Sequence, residues 1–279
     1  MLENESEISI YVPHALAGFV DIIVQHQSQI PSHFRALPNS KVEIMFLLEG
    51  SEFDHFYIDS DKSGFLPNDS DQYVMAFSSQ TQPVDAKFKR LNAMLAVMNP
   101  IAAMAILGVP AWEVKDIHFE PTTLDNLNGI QDSLNTLTTF QQRARCLENY
   151  LLQRLAALGG YNRALEKIRN LQTLYSDPHS AFNETQLSFD HIFYSTSHFN
   201  RICKDWLGVT YREYELHKRF RKAMYAISHK NQSLSEIAFD LGFYDQAHFT
   251  RTFKRFAGMA PMEYQNSHKG MIPEFVMIE

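Results

Sequence analysis

The sequence predicts an α+β protein. Its first half should be an antiparallel β sandwich or small barrel with attached helices, and its second half an all-helical unit. Three observations carry that prediction. Short β-prone segments separated by turn clusters run over about residues 8–98. A 50-residue internal repeat occupies the C-terminal region, with Phe199 recurring as Phe249, Arg201 as Arg251 and Gly208 as Gly258. The charge also splits: residues 1–160 hold 10 Lys/Arg against 19 Asp/Glu, whereas residues 161–279 hold 15 against 13. These features divide the chain into a β-rich domain over 1–125, a helical segment over 126–160 and a repeat-bearing domain over 161–279.

In chain order, the β-prone segments are Lys41–Leu48, Asp54–Asp59, Gln72–Phe77 and Val84–Lys89. The turn clusters at Leu37–Ser40, Glu49–Ser51, Ser60–Gly64 and Leu66–Ser70 separate them. A short helix follows Asn99-Pro100, where proline suits a first turn, and ends at Leu107-Gly108. Two further helices are expected over Leu124–Leu137 and Phe140–Leu158. On the second, Leu147, Leu151, Leu155 and Leu158 recur at helical spacing with Tyr150 beside them. That stripe is either a dimer contact or the face by which the helix docks on its own β domain. Gly159-Gly160 then breaks the helix and marks the linker.

The repeat reads as two helix-turn-helix units, at about 182–206 and 233–256. In the second, Ser233 or Ser235 can cap a helix carrying Leu234, Ile237, Ala238 and Leu241, and Glu236 stands at capping-box spacing from Ser233. Gly242 suits the left-handed turn, and Asp245 is a good N-cap for the next helix. There Phe249, Phe253 and Phe256 form an inward stripe, leaving Gln246, Ala247, Thr250, Arg251 and Lys254 outward. In the first unit Leu187, Phe189 and Ile192 precede a turn at Tyr194-Ser195. Phe199, Cys203 and Trp206 then point inward, with Ser197, Asn200, Arg201 and Lys204 outward. No glycine matches Gly242 there, so its turn should differ. A helix over Tyr214–His229 joins the units, with Lys218, Arg219, Arg221 and Lys222 giving it a basic surface.

Residues 201–255 carry 11 Lys/Arg against 6 Asp/Glu, a basic block inside a chain of net charge −7. Such a block on helix-turn-helix units points to double-stranded DNA. Arginine can bond guanine O6 and N7 together, and Asn or Gln can bond adenine N6 and N7. Asn200, Arg201, Gln246 and Arg251 are therefore the direct-readout candidates, with Thr250 beside them and small Ser197 and Ala247 as minor contacts. Lys204, Lys218, Arg219, Arg221, Lys222, Lys254 and Arg255 are better placed for phosphates.

With Phe-Thr-Arg-Thr-Phe-Lys-Arg-Phe-Ala-Gly-Met-Ala-Pro-Met-Glu-Tyr at 249–264, residues 161–266 resemble the AraC/XylS family of bacterial transcription regulators. The resemblance implies two heads set in successive major-groove segments of promoter DNA, with RNA polymerase as a further partner. Pro38-Asn39-Ser40 and Leu107-Gly-Val-Pro110 are similar to a short, cupin-like form of the family's N-terminal domain. That likeness implies a small-molecule effector or a homodimer but names no ligand. A pocket inside the barrel and a packed core that acts through a partner are both compatible with Phe46, Phe56, Tyr57, Tyr73 and Phe77.

Other chemistry finds no support in the residues. Histidines 14, 26, 33, 55 and 118 contain no His-x-His pair for a cupin metal, and Cys146 and Cys203 form no CxxC motif. No phosphate-cradling glycine loop or nucleophile motif is present. The expectation is a non-enzyme without cofactor or metal. With no signal segment and no 18-residue apolar run, it should also be cytoplasmic and not in a membrane. The rival reading is a protein-interaction or antagonist protein that keeps the fold without specific DNA reading.

Overall fold

A computed structural model describes residues 6–39, 41–58, 64–65, 73–77, 83–113, 128–157, 196–230, 232–267 and 275–277. The predicted class holds: an antiparallel sheet region comes first and a helical region follows. The strands are β1 (Ser6–Tyr11), β2 (Val20–Ser28), β3 (Ser32–Ala36), β4 (Val42–Leu47), β5 (Glu52–Ile58), β6 (Gly64–Phe65), β7 (Tyr73–Phe77), β8 (Val84–Met98) and β9 (Phe275–Met277).

The sheet is organised by β8, 15 residues long. Its first half pairs with β3 and β5, and its second half with β2 and β4. Lys89 and Arg90 are consecutively exposed, which breaks the two-residue alternation. The register against β5 shifts there too, between Glu52 and His55, as expected where a strand bends by a bulge. All six residues of β4 are buried because both its faces are covered. Ile44 and Phe46 point into one core with Met94, Ala96 and Met98, while Met45 and Leu47 join Val84, Ala86, Phe88 and Leu91 in another.

The helices are α1 (Asn128–Thr136), α2 (Phe140–Ala157), α3 (Thr196–Leu207), α4 (Tyr211–His229), α5 (Leu234–Asp240), α6 (Gln246–Ala257) and α7 (Pro261–Ser267). The helix expected after Pro100 is a five-residue π turn, Ala103–Leu107, closed by Gly108 at φ 77°. Ala144, Leu147, Leu151 and Leu155 of α2 lie in the β domain's own core with Leu16, Ile101 and Ile106, each 3% exposed or less. Tyr150 is half-buried against the same cluster. Tyr11 donates to Glu148 over 2.7 Å and Arg154 Nε to the Ile106 carbonyl over 2.9 Å, which pins the helix in place. The side chains of Leu147, Leu151 and Leu155 are thus buried against their own β domain, the docking alternative of the two that the stripe allows. Leu158, the glycine pair and the first helix of the first unit (Leu187, Phe189, Ile192 and its turn at Tyr194-Ser195) lie outside the described residues.

Several contacts among the described residues tie the halves together, and Leu37 of the β domain is buried in the second unit's core with Phe220 and Phe256. Cys203, Trp206, Leu207 and Val209, from the end of α3 and the turn after it, share one core with Ile106, Leu107 and Ala111 of the β domain. The Ala111 amide also donates to the Asp205 carbonyl over 2.8 Å. Burial pushes the Cys203 thiol up to about 12, so it stays protonated and unreactive. The tail of the chain also returns to the β domain: β9 adds antiparallel to β3, setting Phe275 opposite Ala36 and Met277 opposite Phe34.

Candidate nucleic-acid interface

Each element of the second unit is set by local chemistry. Ser233 caps α5, accepting from the Glu236 amide over 3.2 Å, while the Glu236 carboxylate accepts from the Ser233 amide over 2.7 Å. Those bonds hold the Glu236 carboxyl below its ordinary range. Gly242 sits at φ 70° in the turn, the left-handed region where a Cβ is strained. Asp245 caps α6, accepting from the His248 amide over 2.5 Å, and Gly258 closes it at φ 72° with its N–H on the Lys254 carbonyl. Phe249, Phe253 and Phe256 are buried, with Phe253 and Phe256 each about 5 Å from the Phe220 ring of α4. His248 packs edge-on against Phe243 at 5.5 Å.

That burial turns the other side of α6 outward. Gln246, Ala247, Arg251, Lys254 and Arg255 are exposed and Thr250 is half-buried. Among the described residues Arg251 and Lys254 have no side-chain hydrogen bond or ion pair, so both charges face solvent without compensation. Arg255 leans over the Phe256 ring at 4.6 Å, the geometry of a cation–π contact.

The repeat is visible as geometry. Gly208 has φ 77° and bonds to the Lys204 carbonyl, as Gly258 does to that of Lys254. Glu213 accepts from the Thr210 amide, and 50 residues on Glu263 accepts from that of Ala260. On α3, Ser197, Arg201 and Lys204 are exposed and Asn200 is half-buried. Arg201 Nη2 donates to His198 Nδ1 over 3.0 Å. The two heads thus present an Arg three residues before a Lys at equivalent positions.

The basic surface expected of α4 takes a different form, because neighbouring helical positions point about 100° apart. Lys218 is engaged by Glu215 at 3.0 Å. Arg219 donates to the Gly242 carbonyl over 3.4 Å with its guanidinium 6.0 Å from the Phe243 ring, bracing the second unit's turn. Arg221 is half-buried, and of the four only Lys222 is exposed. Sequence reasoning also missed Tyr244, 93% exposed beside the N-terminus of α6, and a bond from Ser235 to Gln246. Nothing in the spacing signals that bond, since it spans the turn between helices.

A family model described as a helix-turn-helix domain matches residues 190–267. This C-terminal region is an AraC-type helix-turn-helix domain. Similar solved structures include ToxT from Vibrio cholerae, at 13% identity and TM-score 0.48, covering 94% of this chain and 98% of that one. The C-terminal domain of the two-component response regulator YesN from Fusobacterium nucleatum is 28% identical over 37% of this chain and 98% of that domain, with TM-score 0.31. The AraC-like transcriptional activator CuxR is 10% identical over 93% of this chain and 83% of its own, with TM-score 0.33. No curated protein sequence matches the chain.

A solvent-facing Lys such as Lys254 is a candidate for a phosphate contact, which adds affinity without sequence information. Lys254→Ala should weaken binding to every duplex alike and reduce the log–log salt slope by about 0.9. Titrations of one specific and one random duplex at several salt concentrations check this. A loss confined to one sequence would assign Lys254 to a base instead.

Proposed function

We propose that this protein is a one-component transcription regulator whose two AraC-type heads read successive major-groove segments of promoter DNA. The observation carrying this reading is the exposed face of α6, where Gln246 and Arg251 stand outward on a helix fixed by caps at both ends and a phenylalanine stripe beneath. Its counterpart on α3 offers Asn200 and Arg201. Gln246, Asn200, Arg201 and Arg251 are the base readers, with Thr250, Ser197 and Ala247 lining the same faces. Lys204, Lys222, Lys254 and Arg255 serve the phosphates. The β domain acts through the core it shares with α3: a small ligand or a partner that loosens or tightens this contact changes how the first head is presented.

Two heads one helical turn apart place a geometric demand on the DNA. Footprinting on the region upstream of the protein's own gene, at physiological salt, should show protection over two major-groove segments about 10 bp apart on one face. Inserting about half a turn between them should abolish joint protection. Binding no tighter than to random DNA would overturn the reading and favour the protein-interaction alternative.

A further inference from the structure

Ser235 and Gln246 meet across the turn that separates α5 from α6. The Ser235 hydroxyl donates to Gln246 Oε1 over 2.9 Å, and both residues are solvent-exposed. Ser235 is not needed as a cap, because Ser233 already exchanges both capping-box bonds with Glu236. A bond between two exposed groups replaces bonds to water and adds little to stability. Its consequence is conformational. An unrestrained glutamine on a helix surface samples many rotamers, and one that must read a base has to give up that freedom on binding.

The chemistry left over after the bond is specific. A carboxamide oxygen has two lone pairs and its nitrogen two donor hydrogens. With Ser235 on one lone pair, Gln246 keeps one acceptor position and both donors, enough for the paired bond that adenine N6–H and N7 require. The serine also comes from the helix ahead of the turn, so the glutamine is referenced to both helices of the unit.

We propose that Ser235 is a positioning residue for base reading: it holds the Gln246 carboxamide in advance of DNA binding and so sharpens the choice of base pair at the position Gln246 reads. This rests on the reading that α6 lies in the major groove. Removing the serine hydroxyl restores freedom to one rotamer-rich side chain, which corresponds to roughly a two- to tenfold loss at that position.

The test uses the full chain with a site selected by the wild-type protein from a random duplex pool. The base pair read by Gln246 is first located with Gln246→Ala. Ser235→Ala, Ser235→Thr and the Ser235→Ala/Gln246→Ala double variant are then titrated on the four duplexes that differ at that pair. The expected result is that Ser235→Ala lowers affinity about two- to tenfold for the preferred duplex alone. Thermal unfolding should be unchanged, Ser235→Thr should restore the preference, and Ser235→Ala should add nothing in the Gln246→Ala background. An equal loss on all four duplexes would make Ser235 a phosphate contact and overturn the proposal. So would a loss that persists without Gln246, or no loss at all. If Gln246→Ala itself changes no base preference, the groove reading of Gln246 fails, and the role of Ser235 fails with it.

Discussion

Replacing Arg35 with alanine should cost the β domain about 3–5 kcal/mol at pH 8. Arg35 on β3 clamps Asp85 on β8 with two parallel bonds, Nε to Oδ1 at 2.8 Å and Nη2 to Oδ2 at 2.7 Å. The Asp85 side chain is fully buried, so alanine at 35 strands a carboxylate that water cannot reach. The same pair sits where β9 adds to β3, so the loss should also loosen the tail strand. His33 lies 3.6 Å from Asp85 and gives the effect a pH signature. In the native chain burial holds the His33 pKa below its ordinary 6.5, against the pull of Asp85 and with help from the charges of Lys87 and Arg35. The unfolded chain therefore takes up a proton more readily, and stability falls as pH drops below about 6.5. Without Arg35 that repulsion is gone and Asp85 lacks its partner, so the His33 pKa should rise in the folded variant. Protonation of His33 then costs the folded variant less than it costs the native chain, and the deficit should be smaller at pH 5 than at pH 8. Denaturant unfolding at the two pH values measures this; an equal deficit at both would remove His33 from the account.

Trp206→Ala should be comparably severe, at about 3–5 kcal/mol, because it empties a large site in the core shared by α3 and the β domain. Trp206 is 8% exposed there, and Cys203 one turn earlier is fully buried. The thiol supplies a local readout. Burial suppresses its ionisation in the native chain, so alkylation at pH 8 should be slow, and it should accelerate sharply in the variant as the contact opens. Native Cys203 labelling as fast as in the unfolded chain would mean that the two halves do not share this core in solution. The same assay reports on regulation: a ligand that changes the labelling rate of Cys203 acts through the contact between the β domain and the first head.

What the sequence made legible follows the range of the interactions involved. The second unit was readable residue by residue, since Ser233 with Glu236, Gly242, Asp245 and Gly258 act within a turn of themselves and the phenylalanine stripe needs only helical spacing. The β domain was readable in class but not in plan. Strands β1, β2 and β3 escaped the reading, whereas β4 was legible as the β-prone segment Lys41–Leu48 but not as a strand buried on both faces. The bend in β8 and the return of β9 to β3 join residues far apart in the chain, where local pattern carries no information. The α2 stripe shows the same limit in another form. Periodicity says which face of a helix is buried, not what buries it, and Leu147, Leu151 and Leu155 are covered by their own domain. The four consecutive-looking basic residues of α4 likewise read as one surface in the sequence, but the helix turns three of them toward neighbours.

DNA reading by α6 is the central claim, and Arg251 is where it is most exposed to test. Its guanidinium stands outward with no hydrogen bond or ion pair among the described residues, on a helix that the caps and phenylalanines leave no room to reorient. The decisive measurement is the affinity of wild type and Arg251→Ala for the footprinted site and for single-base-pair variants of it, at one fixed salt concentration. The account predicts a loss of about 1–3 kcal/mol on the native site, with relaxed preference at one base pair and little change on random DNA. An unchanged footprint, affinity and base preference would contradict it.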